Sequence, residues 1–253
     1  MSNPVSRRKL ITGGIAAAAG VSGLAVAANI ASRYGLIPPD NGGIWGVGET
    51  LTYATQHLLM SQHSLAREFN RSEVSKVVPV SGNPPETEPY ARLRAGGFAD
   101  WRLAVGGMVA RPYAFSLAEL KRMPVRSQIT HQACEEGWSF IAEWTGVPLS
   151  HVLNLVGVNP KAKYVVSFPY DESWDSIDLA DAFHSQTFLA YGLNGHDLPT
   201  PHGAPIRLRV ARQLGYKSVK YLSHITVTDN LKHIGTGKGS SQLDYGYSWY
   251  AGI

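Results

Sequence analysis

The chain has one thiol, and it stands among groups that could act with it. In HQACEEGWSFIAEW, residues 131–144, Cys134 follows His131 and precedes Glu135 and Glu136, with Trp138 and Trp144 further on. A lone cysteine forms no disulfide within its own chain. Cys134 is therefore an inert buried residue, a reactive nucleophile, a link to another chain or a metal ligand. Free cysteine packs readily as a small apolar side chain. A catalytic thiol needs a base within reach, and His131 is three positions away on an alternating segment, where the two side chains point to opposite faces. Zinc needs several protein ligands, and neither CxxC nor HxxxH spacing is present.

The elements that position the thiol are legible in outline. VRSQITHQAC alternates with period 2, so Cys134 ends a strand and opens a loop. Ahead of it, WRLAVGGMVARPYAF reads as a hairpin. In SLAELKRMP, Ser116 and Glu119 are spaced as a capping box and Pro124 stops the short helix. Behind it, TGVPLSHVLNLVGV reads as a helix, and AKYVVSFPY, APIRLRVAR and KYLSHITVTD as strands. Strands and short helices mix without regular βαβ alternation, which predicts an α+β fold around a mixed sheet. The reading divides the chain into a leader at 1–27, an N-terminal arm at 28–97 and a catalytic domain at 98–253. Within the Gly- and Pro-rich arm, one run, TLTYATQHLLMSQHSLAREF, has helical spacing.

The chain of 253 residues is 44% hydrophobic and 17% charged, a globular rather than disordered composition. The formal charge of +4 invites a nucleic-acid reading. It loses its basis at the N-terminus, where Arg7, Arg8 and Lys9 precede an uncharged, Ala- and Gly-rich run that extends to Arg33. Ala25-Val26-Ala27 is a small-x-small cleavage site, and SRRKLI resembles a twin-arginine export signal, the route taken by proteins that fold before export. Removing residues 1–27 takes three positive charges and no negative ones, leaving 4 − 3 = +1. The expected location is the periplasm. An uncleaved leader would act as a membrane anchor.

Four stretches together resemble a known family: LAVGGMVARPYAFSLAELKRMP, HQACEEGWSFIAEWTGVPLSHVL, LAYGLNGHDLPTPHGAPIRLRV and GYKSVKYLSHITVTD. In order and spacing they are similar to the sulfite-oxidase-type molybdopterin-dependent oxidoreductases, on the side of bacterial periplasmic members such as methionine sulfoxide reductase catalytic subunits. The resemblance covers about residues 98–230. It implies a sulfite-oxidase-like molybdopterin-binding fold and a molybdenum-molybdopterin cofactor, with Cys134 as the protein's ligand to the metal. A soft thiolate suits such a metal, and ligation masks it from oxidation. The resemblance also implies that His202, Arg207, Ser218, Val219 and Lys220 hold the pterin and its phosphate, with Arg209 a further cation. Arg67 and Glu68 match a pterin-contacting segment, and Tyr191 coincides with an active-site tyrosine whose phenol can donate a proton. The family's threonine downstream of the cysteine has no counterpart around Phe168, Pro169 and Tyr170.

Trp138 and Trp144 read as core or pocket wall, and Glu135 and Glu136 as solvated or hydrogen-bonded groups. A sulfite site needs arginines close to the ligand cysteine to offset a dianion. CEEGWSFIAEW offers two glutamates and no arginine. The expected substrate is thus a neutral S-oxide or N-oxide, although Tyr191 and His202 resemble the sulfite-oxidising branch. No haem-attachment motif is present, so electrons must come from a separate protein, a membrane haem subunit or a periplasmic cytochrome. A thiol hydrolase and an exported non-enzymatic binding module are the other function classes. Neither explains why the Cys, His-Gly and Lys loops occur together.

Overall fold

The computed structural model describes residues 31, 35–42, 44–60 and 63–253. The leader expected at residues 1–27 lies outside them. The structure divides after residue 61 into two units. In the first, helix α1 spans Gly46–Leu59, with Tyr53 edge-on to His57 one turn later at 4.2 Å between ring centres. The sequence predicted this helix to run on to Phe69. Ala66 to Phe69 belong instead to the second unit as extended chain. The Phe69 N–H donates to the Ile129 carbonyl at 2.9 Å, and the Gln186 carboxamide satisfies both backbone groups of Ala66, at 2.7 and 3.0 Å. A side-chain amide that pairs like a neighbouring strand replaces the hydrogen bonds a helix would have supplied.

The second unit contains α2 (Glu88–Ala95), β1 (Arg102–Gly107), β2 (Tyr113–Ser116), α3 (Leu117–Arg122), β3 (Arg126–Ala133) and β4 (Ser139–Pro148). Then follow α4 (Leu149–Val156), β5 (Tyr164–Pro169), β6 (Asp175–Asp178), α5 (Leu179–Ala182), β7 (Thr187–Leu193), β8 (His196–Asp197), β9 (Arg207–Val210) and β10 (Leu222–Thr228). The strands form two five-stranded sheets, where the sequence reading had one. The first has the order β2-β1-β10-β5-β6 and is mixed, because β1 and β10 run parallel while the other pairs are antiparallel. The second is antiparallel, β3-β4-β7-β8, with β9 pairing the other edge of β7.

The hairpin, the capped helix and the strand that ends at Cys134 form as their patterns require. Ser116 Oγ accepts from the Glu119 amide, and the Glu119 carboxylate accepts from the Ser116 N–H at 2.8 Å. The helix predicted from Thr145 starts only at Leu149, since residues 145–148 complete β4. The main core lies between the sheets, where Leu103 and Val105 of β1, Ile225 and Val227 of β10, and Leu189 of β7 meet Val152, Leu153 and Val156 of α4. A second cluster on the far side of the antiparallel sheet gathers Phe140, Ala142, Trp144, Phe188 and Ala190. Every residue of β7 is therefore buried, and its sequence TFLAYGL is almost continuously apolar.

Candidate functional site

β3 delivers Cys134 one residue beyond its last pair, Ala133 opposite Ser139. The loop is a tight turn. The Cys134 amide donates to the Trp138 carbonyl at 2.9 Å, the Gly137 amide donates to the Cys134 carbonyl at 3.1 Å, and Gly137 sits at φ +90°, which favours glycine. The thiol donates to the Glu135 carboxylate, Sγ to Oε2 3.4 Å. Glu136 accepts from the Trp138 indole at 2.7 Å and from the Ser81 hydroxyl at 3.1 Å. Both glutamates are thus hydrogen-bonded. Burial, with the charges of Glu135 and Glu136 behind it, pushes the Cys134 thiol up to about 11. A bare thiol of this kind is a poor nucleophile at neutral pH, and a metal would be needed to make it a thiolate. Among the described residues no three His, Cys, Asp or Glu side chains converge as a ligand set, so a metal held here takes its other ligands from outside the chain.

β9 explains the alternation of RLRV. Leu208 and Val210 point into the main core, while Arg207 and Arg209 face the other way, their guanidiniums 5.1 and 5.6 Å from the Trp144 ring centre. Arg209 is closed off by Thr130 Oγ1 and the His131 and Val210 carbonyls. Arg207 reaches back over the loops on either side. It donates to the His202 carbonyl at 3.1 Å and the Ser218 carbonyl at 2.7 Å, and its buried Nε has no partner. The Ser218–Lys220 turn is fastened along β9 by the Val210 amide on Ser218 Oγ at 3.0 Å and the Leu208 amide on the Val219 carbonyl at 2.8 Å. Gly203, at φ +110°, lets the His202 loop lie against both cations: a Cβ there would stand 2.9 Å from Lys220 Cβ and 3.2 Å from Arg207 Cβ. The Lys220 ammonium donates to the carbonyls of Ser81 and Pro201.

Cys134, His202, Arg207, Ser218, Val219 and Lys220 all line one cavity of about 240 Å³. Burial holds Arg207 down to about 10. Burial and then the Arg207 charge take Lys220 to about 8, and burial with both cations takes His202 to about 4. Neither Arg207 nor Lys220 is hydrogen-bonded to a carboxylate, while Glu135 and Asp171 stand elsewhere in the same lining, so an anion held by the two cations would offset the cost of their desolvation. The orphaned Arg207 Nε, the close packing of the Gly203 loop against both cations and the thiol in the same lining together fit a phosphate-bearing group that also carries a soft metal.

Three expected residues lie elsewhere. Tyr191 is in the main core with the Lys121 ammonium 5.7 Å from its ring; Arg207 is paired with Ala190, so Tyr191 projects from the opposite face of the sheet. Arg67 is exposed, 3.8 Å from Glu73 and 4.6 Å over the Phe69 ring. Glu68 bridges to Thr130 on β3 and accepts from Gln186 Nε2 at 3.2 Å. The cavity also has walls the sequence did not reveal: the segment Pro79–Asn83, Gln132, and Ser241 with Gln242 beside Trp174 and Asp175. None of these carries a motif, and the C-terminal residues reach the site only through tertiary contacts.

Two sheets that bring a buried thiol and two cations without carboxylate hydrogen bonds into the lining of one cavity define a protein fitted to hold an anionic cofactor. The chain belongs to the oxidoreductase molybdopterin binding domain family, whose model matches residues 91–233, and is an oxidoreductase of the sulfite oxidase type. It is 36% identical over 197 residues to a protein of Azospira oryzae named as a protein-methionine-sulfoxide reductase subunit, YedZ1, covering 78% of this chain and 71% of that one. It is 33% identical over 165 residues to the protein-methionine-sulfoxide reductase catalytic subunit MsrP of Xanthomonas axonopodis, covering 58% of this chain. The chain spans 50% of the length of that relative. The crystal structure of the sulfane dehydrogenase SoxCD from Paracoccus pantotrophus shares the fold with a TM-score of 0.50 and 25% identity, over 57% of this chain and 40% of that one.

Proposed function

We propose that the protein is a periplasmic molybdopterin-dependent oxidoreductase that removes an oxygen atom from a neutral S-oxide or N-oxide. In this reading the Cys134 thiolate ligates molybdenum, and a separate membrane haem subunit or periplasmic cytochrome supplies electrons. The observation that carries it is the cavity itself, which gathers the thiol, Arg207 and Lys220 in one lining. Arg207, Lys220, His202 and the Ser218–Lys220 turn would hold the anionic end of the cofactor. When bound, the cofactor supplies a centre for two-electron oxygen-atom exchange. The chain's own contribution to substrate choice is polarity. Glu135 lies beside the thiol, Trp138 and Phe140 form an aromatic wall, and among the described lining residues the only arginine is Arg207, already committed to two carbonyls. A carboxylate at the thiol repels a sulfite dianion and tolerates a neutral oxide. The similarity to proteins named as methionine-sulfoxide reductases supports the same direction.

The likeness to a sulfane dehydrogenase favours a second reading, oxidation of a sulfur anion such as sulfite. Assays with reduced viologen and a panel of sulfoxides and N-oxides, set beside sulfite with an artificial electron acceptor, separate the two. Oxide reduction is expected; sulfite turnover without it overturns the direction. Protein made in a host with an active molybdopterin pathway should contain molybdenum and pterin in equal amounts and no haem, and finding zinc or no metal overturns the cofactor assignment. Periplasmic export rests on the leader sequence. Arg7→Lys with Arg8→Lys should leave the folded enzyme in the cytoplasm, and unchanged periplasmic recovery would contradict the twin-arginine route.

A further inference from the structure

Gln132 is a buried polar side chain that no motif and no matched family position accounts for. It stands on β3 two residues before Cys134, on the same strand face, and is only 6% exposed. Its side chain lines the cavity, and its carboxamide oxygen is buried without a hydrogen-bond partner. An orphaned buried acceptor is costly, and natural cores seldom keep one without a use. Its neighbour Gly215, the first residue of GYKSVK, offers it no side chain. A Cβ at Gly215 would lie 3.2 Å from the Ala133 carbonyl, 3.4 Å from Gln132 Nε2 and 3.7 Å from Cys134 Cα. Gly215 therefore packs bare backbone against the end of β3. Gln132 is thus held between the strand that ends at the thiol and the loop that leads into Ser218–Lys220.

We propose that Gln132 is a further cofactor-binding residue, its carboxamide making a paired donor and acceptor contact with the heterocyclic ring system of the pterin. The inference rests on the molybdopterin reading above and adds a residue to it. The cations Arg207 and Lys220 can only donate, which suits a phosphate. A carboxamide both donates and accepts, which suits the amide-like edge of a fused pyrimidine. Gln132 lines the cavity from β3 beside Gly215 of the GYKSVK loop, two segments expected to hold cofactor, whereas Glu135 and Trp138 line it from the turn that follows the thiol.

The test compares Gln132→Leu, which removes both polar functions at similar volume, with Gln132→Glu, which keeps only the acceptor. Each is expressed as the full chain in a cofactor-competent host. Pterin per chain is read by fluorescence after oxidative release, and the melting temperature is followed with and without cofactor. In Gln132→Leu the cofactor-free protein should melt at or above the parent temperature, because an unsatisfied group has been removed. Its pterin content under limiting cofactor supply should fall about two- to tenfold, the effect of losing one hydrogen-bonded contact. Molybdenum per pterin in the loaded fraction should not change, since Cys134 is intact. Gln132→Glu should also lose pterin, and it keeps the test decisive if the leucine variant fails to fold. Parental pterin content in both variants overturns the assignment, and parental pterin content with a raised KM makes Gln132 a substrate contact instead. A parent protein that binds no pterin overturns the underlying reading, and is told apart because the failure appears before any substitution.

Discussion

Cys134 and Arg207 line the same cavity, and under the proposed function substitution should separate their contributions. Cys134→Ala is expected to abolish turnover while the fold and most of the bound pterin survive, because in the proposed function the thiol would contribute a single metal ligand and the other residues would hold the pterin. Arg207→Ala should instead lower cofactor occupancy, since a charge-assisted contact to a buried anion is worth about 1.5–3 kcal/mol. Activity and released pterin, measured on both variants, check this. His184 supplies a second test away from the cavity. Its Nδ1 accepts from the Gln186 amide at 3.2 Å and its Nε2 faces the Ser64 carbonyl at 3.1 Å, so only the neutral ring fits. Burial, then the Arg212 charge, lowers it to about 4. The depressed pKa means the contribution is complete above the ordinary histidine range near pH 6.5 and is lost as pH falls toward 4. Melting temperatures across that window should fall in the parent protein and fall less in His184→Gln. Sequence reading found the cations and the thiol because their motifs are contiguous. It could not find Gln132, whose meaning depends on a glycine far along the chain.

At the level of elements, period-2 alternation revealed β1, β2 and β3, strand-like apolar runs revealed β5, β9 and β10, and the Ser116/Glu119 pair located α3. β4 was hidden because its sequence continues directly from the cysteine loop and reads as part of it. β7 was hidden because burial on both faces erases alternation. The contact between these two strands yields a prediction. Their register shifts between Thr145 and Gly146, and a Cβ on Gly146 would stand 2.0 Å from the Leu189 carbonyl oxygen. Gly146→Ala must push β4 from β7 and should destabilise the second unit by about 1–3 kcal/mol or more. Denaturant titration measures it. Because β7 also carries β9, reduced pterin retention should accompany the loss.

Across the whole second unit, the C-terminal segment closes over the site through a buried polar network. Asp175 on β6 accepts from the Lys217 ammonium and from Ser240 Oγ at 2.9 Å, and Trp249 donates to Ser176 Oγ at 2.9 Å with Lys217 over its ring. Burial raises the Asp175 carboxyl, opposed chiefly by Lys217. Lys217→Met leaves that carboxylate alone and should cost about 3–5 kcal/mol, while adding Asp175→Leu should recover much of the loss. Thermal unfolding of the single and double variants decides it. None of this was legible beforehand: Asp175, Lys217 and Ser240 are scattered, and nothing local marks a charged pair as buried. The α+β class was legible, because it depends only on the mixture and order of elements.

The parallel pairing of β1 with β10 sets a timetable. Ala104 lies opposite His224, and Gly107 opposite Val227, so the middle of the mixed sheet stays open until nearly the last strand has been synthesised. Local hairpins such as β3-β4 can form while the chain is still growing, but the joint between distant strands must wait. The Ser218–Lys220 turn, fastened along β9, immediately precedes β10, so the cavity around it is complete only when that strand docks. A nascent chain that has already emerged past Cys134 thus owns a thiol and no cavity around it. Cofactor capture becomes an event of the finished polypeptide, and a chain cut before Thr228 should be unable to retain the pterin however well its earlier hairpins have formed.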